Sequence, residues 1–283
     1  MAFNPKSYRA GLVYPALRFA RTLMRSPEHR ALLGVARQLR KEQPFTEGEV
    51  EIGSGLKLRY ADTASFLCAY DEIFVNQIYK LDDQNRSAYV IDAGANIGLA
   101  SVFWTLKNPS VEGLAFEPDP KIFAILEDNL KRCQSRIRPV MSALGADEGK
   151  CSFESQGGDS GRIRASENVK TIATNPMIEI QKTRLSNYMD QSVDLLKIDI
   201  EGSELEVLQE VQSKLSLVKR IFVECHCFRG ERDFLPEILG LLRDSGFRLS
   251  YDVIAASYRG FELIAPDRQI EVNMNVYGRR EIA

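Results

Sequence analysis

The sequence predicts a doubly wound α/β fold, a mostly parallel sheet with helices on both faces. Three observations carry that expectation. Short apolar runs alternate with helical patterns from residue 88 onward. The first run, Tyr89-Val90-Ile91-Asp92, turns through Ala93-Gly94-Ala95-Asn96-Ile97-Gly98 into a helical segment. A second run then ends at Phe116-Glu117-Pro118, which puts an acid at a strand tip, where such sheets bind nucleosides.

The elements follow in chain order. Residues 1–45 read as an N-terminal helical extension and residues 46–283 as one domain. Over 7–41, Leu12, Val13, Leu17, Ala20, Leu23 and Met24 recur at helical spacing among arginines, with a break at Ser26-Pro27. An antiparallel pair is expected at 49–52 and 56–61 around Gly53-Ser54-Gly55. A helix over 65–80 brings Tyr70, Phe74 and Tyr79 either over a ligand cleft or into the core, with Phe74 as core. Strands at 88–92, 113–117 and 137–142 follow. The helix between the first two holds Ser101, Phe103 and Trp104, and the next opens at Asp119-Pro120, an N-cap with proline in the first turn. Residues 150–192 interrupt this rhythm with strands at 151–154 and 177–183 and a small-residue loop at 156–161. They form either a β-hairpin insertion or a lid at the substrate edge. The sheet then resumes with a strand at 195–200, a helix at 203–211, a strand at 220–224 and a helix at 233–245, and closes with strands at 247–253 and 273–277.

Charge narrows the partners. The 283 residues carry 37 Lys/Arg and 39 Asp/Glu, a net −2. Residues 1–43 hold nine of those cations against two acids, so the remainder stands at −9. An acidic body excludes a general nucleic-acid surface, because phosphate contacts need clustered cations; structured RNA read by a local patch stays open. The basic N-terminal helix packs on the body or on a second subunit, which would make a homo-oligomer. Its alternative is peripheral contact with an anionic membrane surface. No apolar run reaches the roughly 18 residues of a membrane span, and Arg9, Arg18, Arg21 and Arg25 break up any signal-peptide core. Five cysteines without framework spacing point to a reducing compartment, the cytoplasm. Cys225-His226-Cys227 is not read as a metal centre, since neighbours on a strand face opposite ways and the only other histidine is His29.

The turn after the first strand reads Asp-x-Gly-x-x-x-Gly, with Asn96 where a dinucleotide fingerprint carries its second glycine. That counts against a nicotinamide oxidoreductase. Gly94 and Gly98 let a ligand approach the backbone, and an acid opening the turn suits a cationic nucleoside. S-adenosylmethionine, with ribose, ammonium and sulfonium but no phosphate, fits. The polar residues expected at the carboxyl ends of the strands are Asp92, Glu117, Ser142, Asp199, Glu201, Glu224 and His226. Glu201 and Glu204 also suit a helix N-terminus.

Residues 91–98, Ala115-Phe116-Glu117-Pro118 and, above all, Lys197-Ile198-Asp199-Ile200-Glu201-Gly202-Ser203-Glu204-Leu205-Glu206-Val207-Leu208 resemble the FkbM family of S-adenosylmethionine-dependent methyltransferases. Glu224-x-His226 and Asn275-Val276-Tyr277-Gly278-Arg279 fit as well. The resemblance spans residues 70–280 and leaves the N-terminal 45 outside. It implies the class I methyltransferase fold, Rossmann-like and seven-stranded, and O-methylation of a sugar, glycan or other small natural-product hydroxyl. Ala93, where Val or Ile is commoner, is a minor departure.

On that footing Gly94, Ala95, Asn96 and Gly98 would line the methionine portion, with Asp92 near its ammonium. Glu117 and Pro118 would hold the ribose, and Ser142 and Ala143 would border the adenine. His226 is the first expectation for the base, with Asp199 second. Asp199 could instead join Glu201 in holding a divalent ion, although no metal is predicted. Two other functions compete: a catalytically inactive binding or scaffolding protein, and a methyltransferase acting on protein or RNA.

Overall fold

The structure, a computed structural model, describes residues 27–280 except 41, 43–45, 54, 82–86, 156–161, 164–175, 231, 257, 260–261 and 264–269. The expected helix before Pro27, with its membrane-facing alternative, lies outside the described residues. Among those described, no helix is long and apolar enough to cross a membrane.

Pro27 opens α1 (Pro27–Leu39), as its fixed φ suits a first turn. Leu32, Val35 and Leu39, one face of that helix, are buried in the core of the body. The Gln38 amide exchanges two hydrogen bonds with the Glu51 backbone, at 2.9 and 3.1 Å. The expected antiparallel pair forms as β1 (Gly48–Ile52) and β2 (Leu56–Tyr60). Asp62 then caps α2 (Thr63–Tyr70), accepting from the Ser65 amide at 2.7 Å. The helix expected to reach residue 80 stops sooner. A π-helical turn over Asp71–Val75 ends it, and Gln77 turns the chain at φ 52.

The doubly wound part begins at β3 (Tyr89–Ala93), α3 (Leu99–Lys107), β4 (Glu112–Phe116), α4 (Pro120–Arg132) and β5 (Arg136–Val140). Asp119 accepts from the Lys121 amide at 2.8 Å, so Asp119-Pro120 caps α4 as predicted. The interruption is a small sheet of β6 (Ala143–Leu144), β7 (Gly149–Glu154), β8 (Arg162–Ile163) and β9 (Met177–Thr183), ordered β6-β9-β7-β8. The main sheet resumes with β10 (Leu195–Ile198), α5 (Glu204–Glu210), β11 (Arg220–Phe228), α6 (Leu235–Asp244) and β12 (Arg248–Ala256). After the short pair β13 (Tyr258–Arg259) and β14 (Glu262–Leu263) comes β15 (Ile270–Arg279).

The seven-stranded sheet is ordered β12-β15-β11-β10-β3-β4-β5, or 3-2-1-4-5-7-6 read from its far edge. β11, β10, β3, β4 and β5 are parallel, and β15 lies antiparallel between β11 and β12. This is the predicted class I fold. The order reverses between β3 and β10, and a crevice opens there beyond the strand ends. Successive residues serve opposite cores: Val90 and Leu195 pack with Phe103, Trp104 and Leu126, whereas Ile91, Leu196 and Ile198 pack with Val207, Leu208 and Leu242. Both faces are covered, which is why β3 and β10 read as apolar runs broken only by Asp92 and Lys197 rather than as alternating ones. Each large side chain so buried contributes about 1.5–3 kcal/mol.

One boundary difference shapes the site. β11 was expected to end at Glu224 but continues to Phe228. Its parallel partner β10 stops at Ile198, opposite Val223, yet β15 keeps hydrogen-bonding along the extension. Glu224 and His226 therefore share one face of the strand, with Cys225 on the other in the second core.

Candidate active site

The turn after β3 is tied to the tip of β4. The Gly94 and Ala95 amides both donate to the Phe116 carbonyl, at 3.1 and 2.8 Å. Gly94 has φ +81, and a Cβ there would lie 1.7 Å from the Asp199 carbonyl oxygen, so this turn and the β10 tip touch backbone to backbone. Asn96, in place of the second glycine, also takes a left-handed conformation at φ 48, which asparagine tolerates better than most residues. Its amide donates to Glu117 Oε2 at 3.0 Å, while the Asp119 amide donates to Oε1 at 2.9 Å. Glu117 is thus oriented by two amides in a cavity of about 80 Å³ that Pro118, Ser142, Ala143 and Phe153 also line. Burial pushes its pKa up to about 8, against the two amide hydrogen bonds.

Two predicted cofactor residues border neither this cavity nor its neighbour. Asp92 is fully buried. Its Oδ2 accepts from Ser101 Oγ at 2.8 Å, and its Oδ1 faces the Lys197 ammonium at 3.2 Å. The structure thus places Asp92, expected near the ligand ammonium, under the turn and against Lys197. Gly98 is the N-cap of α3, packed where a Cβ would meet Leu126 Cδ1 at 2.6 Å; it lets that helix seat and borders neither of these two cavities.

Lys197 is the residue sequence reasoning passed over. It sits directly across the ladder from Asp92, 4% exposed, in an otherwise apolar strand. A lysine in such a strand is itself the signal, since lysine is almost never fully buried unless paired. Its ammonium donates to the Gly94 carbonyl at 2.8 Å, lies 3.3 Å from Asp199 Oδ2 and stands over the Tyr79 ring. Burial works against its charge, yet Asp92 and Asp199 outweigh it and its pKa is raised.

A second cavity, of about 290 Å³, lies on the other side of the Gly94 turn, and Ala95 and Asn96 line it as well. Its wall is acidic: Asp62 and Glu72 come from the N-terminal elements, and Asp199, Glu201 and Glu224 from the sheet. Asp62 and Glu72 carried no expected role, because nothing local shows that α2 folds over the crevice. Tyr79 does reach the cleft, whereas Tyr70 and Phe74 pack in the core. Burial and neighbouring carboxylates push Glu72 up to about 7, Asp199 up to about 6 and Glu201 up to about 8. Asp199 and Glu201 border both cavities.

His226 stands among these acids. Its Nδ1 is 3.4 Å from Glu204 Oε1, and its Nε2 lies 3.5 Å from Glu224 Oε1 and 3.7 Å from Glu201 Oε2. Burial opposes its charge, but the carboxylates push its pKa up to about 12. With Glu204 on Nδ1 and Glu224 and Glu201 about Nε2, both ring nitrogens are engaged by carboxylates.

The glycine turn, the oriented Glu117 and the crevice acids Asp199, Glu201 and Glu224 lie within the span, residues 92–249, that matches the family model described as the methyltransferase FkbM domain. The chain belongs to the FkbM methyltransferase family. This methyltransferase is 30% identical over 233 residues to methyltransferase sdnD of Sordaria araneosa, covering 71% of this chain and 89% of that protein. It is 30% identical over 220 residues to 31-O-demethyl-FK506 methyltransferase FkbM of Streptomyces tacrolimicus, covering 66% and 83%. The hexuronic acid methyltransferase AglP of Haloferax volcanii is 28% identical over 181 residues, covering 59% and 72%.

Proposed function

We propose that this methyltransferase uses S-adenosylmethionine to O-methylate a hydroxyl of a sugar, glycan or other small natural-product acceptor. The observation that carries the reading is Glu117, a carboxylate held by two backbone amides in the crevice beside the Gly94 turn. Each of its oxygens keeps a lone pair for a ribose hydroxyl. Ser142, Ala143 and Phe153 line a slot for a base, and Asp199 and Glu201 supply carboxylates for a cationic ligand. The cofactor would bring an already activated methyl group, so the chain's own work is to bind, align and desolvate.

The larger cavity on the far side of the turn has room for the acceptor. As its oxygen gains the methyl group, the hydroxyl must lose a proton. Glu201, facing both cavities, is the group we assign to take it as a carboxylate; Asp199 is ion-paired to Lys197, and both nitrogens of His226 face carboxylates. The relatives' names include a hexuronic acid and 31-O-demethyl-FK506, which supports small hydroxylated acceptors. The acidic remainder of the chain disfavours RNA.

Methyl-labelled cofactor offered with a panel of hydroxylated sugars and natural products should label at least one acceptor at oxygen. Label appearing only on protein or RNA would overturn the reading. Calorimetry should show cofactor binding weakened about 30- to 100-fold in Glu117→Ala, the loss of charged hydrogen bonds worth about 2–3 kcal/mol. The wild-type affinity should also rise with pH toward about 8, as Glu117 ionises and its carboxylate can accept from both ribose hydroxyls. Glu117→Gln should flatten that part of the profile. An identical slope in the variant would remove Glu117 from the ribose.

A further inference from the structure

Three donors from two elements converge on the wall of the larger cavity. Asp199 stands on the turn after β10, and Glu224 and His226 stand two residues apart on β11. One ligand atom from each lies within 4.8 Å of the other two. Around a six-coordinate ion with bonds of about 2.1 Å, adjacent ligands sit about 3 Å apart and opposite ones about 4 Å. Small side-chain rotations therefore close the set.

The surroundings orient these donors as a metal site requires. Glu204 is 3% exposed, and its Oε1 accepts from the Ile200 and Gly202 amides at 3.3 and 3.0 Å. It fixes the turn carrying Asp199 and, facing His226 Nδ1, leaves Nε2 toward Glu201 and Glu224. A carboxylate on the remote nitrogen is the usual support of a metal-ligating imidazole. On β15, Asn273 donates to Glu224 Oε1 at 2.7 Å. Its own Oδ1 is buried with no hydrogen-bond partner among the described residues, in a side chain that lines the same cavity. A neutral oxygen donor left over beside two carboxylates and an imidazole is complementary to a hard cation.

We propose that Asp199, Glu224 and His226 form a divalent-cation site for Mn²⁺ or Mg²⁺, with Asn273 Oδ1 as a further oxygen donor. Two carboxylates, one imidazole and an amide oxygen, without thiolate, suit such ions. The set differs from the Asp199/Glu201 pair considered from sequence, because the extension of β11 brings Glu224 and His226 to Asp199 and leaves Glu201 facing both cavities. The role of the ion, though not its binding, rests on the reading above. On the acceptor side of the crevice it would hold a substrate hydroxyl and make it more acidic, with Glu201 taking the proton.

The test uses the full chain freed of metal by chelator, with neither cofactor nor acceptor present. Mn²⁺ titrated while its electron paramagnetic resonance is followed should show one ion per chain, and electron spin echo modulation should reveal a ¹⁴N nucleus. Glu224→Gln and His226→Ala should each weaken Mn²⁺ at least tenfold, while Glu72→Gln, in the same cavity, and His29→Gln should leave affinity within about threefold. No bound ion, no ¹⁴N modulation in the wild-type chain, or equal weakening by Glu72→Gln would overturn the proposal. The ¹⁴N measurement needs no variant, so misfolding of a mutant cannot decide the matter. A chain that binds Mn²⁺ through nitrogen yet labels no acceptor would sink the proposed function and leave this site standing.

Discussion

Gly94→Ala should abolish methyl transfer, lowering turnover at least 100-fold, and should cut cofactor affinity as steeply. The added Cβ would lie 1.7 Å from the Asp199 carbonyl oxygen and 2.8 Å from its carbon. Both atoms are backbone, so no rotamer change relieves the overlap. The φ of +81 adds about 1–2 kcal/mol of strain for an L-residue. Relief requires the turn to part from the β10 tip, which would pull the Gly94 carbonyl off Lys197 and the Gly94 and Ala95 amides off Phe116. A shift of about 1 Å at a reacting centre can cost about 100-fold in rate. Thermal melting, calorimetry with the cofactor and turnover should be measured together. Near-normal affinity and turnover would mean the cleft does not lie where these two turns meet.

Lys197→Met should be the most destabilising single change to the charged network, costing about 3–5 kcal/mol, because removing one partner strands buried charge. Asp92 is fully buried, and its Oδ1 has no hydrogen-bond partner among the described residues; the ammonium at 3.2 Å is what compensates it. The double variant Asp92→Asn/Lys197→Met, which removes both charges, should recover a large part of the loss. Chemical denaturation of the four proteins in this cycle gives the coupling directly. Additive effects would show that the two residues do not compensate each other. Asp92→Asn alone should lower cofactor affinity less than Glu117→Ala, since Asp92 acts on the crevice only through Lys197.

The parts of this arrangement that were legible in the sequence are those written locally. Tyr89–Ala93, the glycine turn and Glu117 lie within 29 residues of one another, and period, turn chemistry and spacing announce them together. Asp119-Pro120 declares its helix in the same way. The rest depends on pairings across long stretches of chain. Lys197 meets Asp92 only because β10 pairs in parallel with β3, more than 100 residues away, in one particular register. The surroundings of His226 were hidden for the same reason: of its four carboxylate neighbours only Glu224 is local, while Asp199, Glu201 and Glu204 reach it from the turn after β10 and the start of α5. The end of β11 was misplaced for a related reason: its last residues are held as strand by β15, whose partnership no local pattern records.

The position of β15 between β11 and β12 also bears on when the enzyme can become active. The strands from β3 to β11 can pair as soon as they leave the ribosome, but Asn273 and the support for the Glu224–His226 segment are among the last of the described residues to be synthesised. The nascent chain would therefore carry the Gly94 turn and Glu117 assembled before the Glu224–His226 side of the larger cavity is complete. Methylation would then wait on the arrival of β15, as a consequence of strand order.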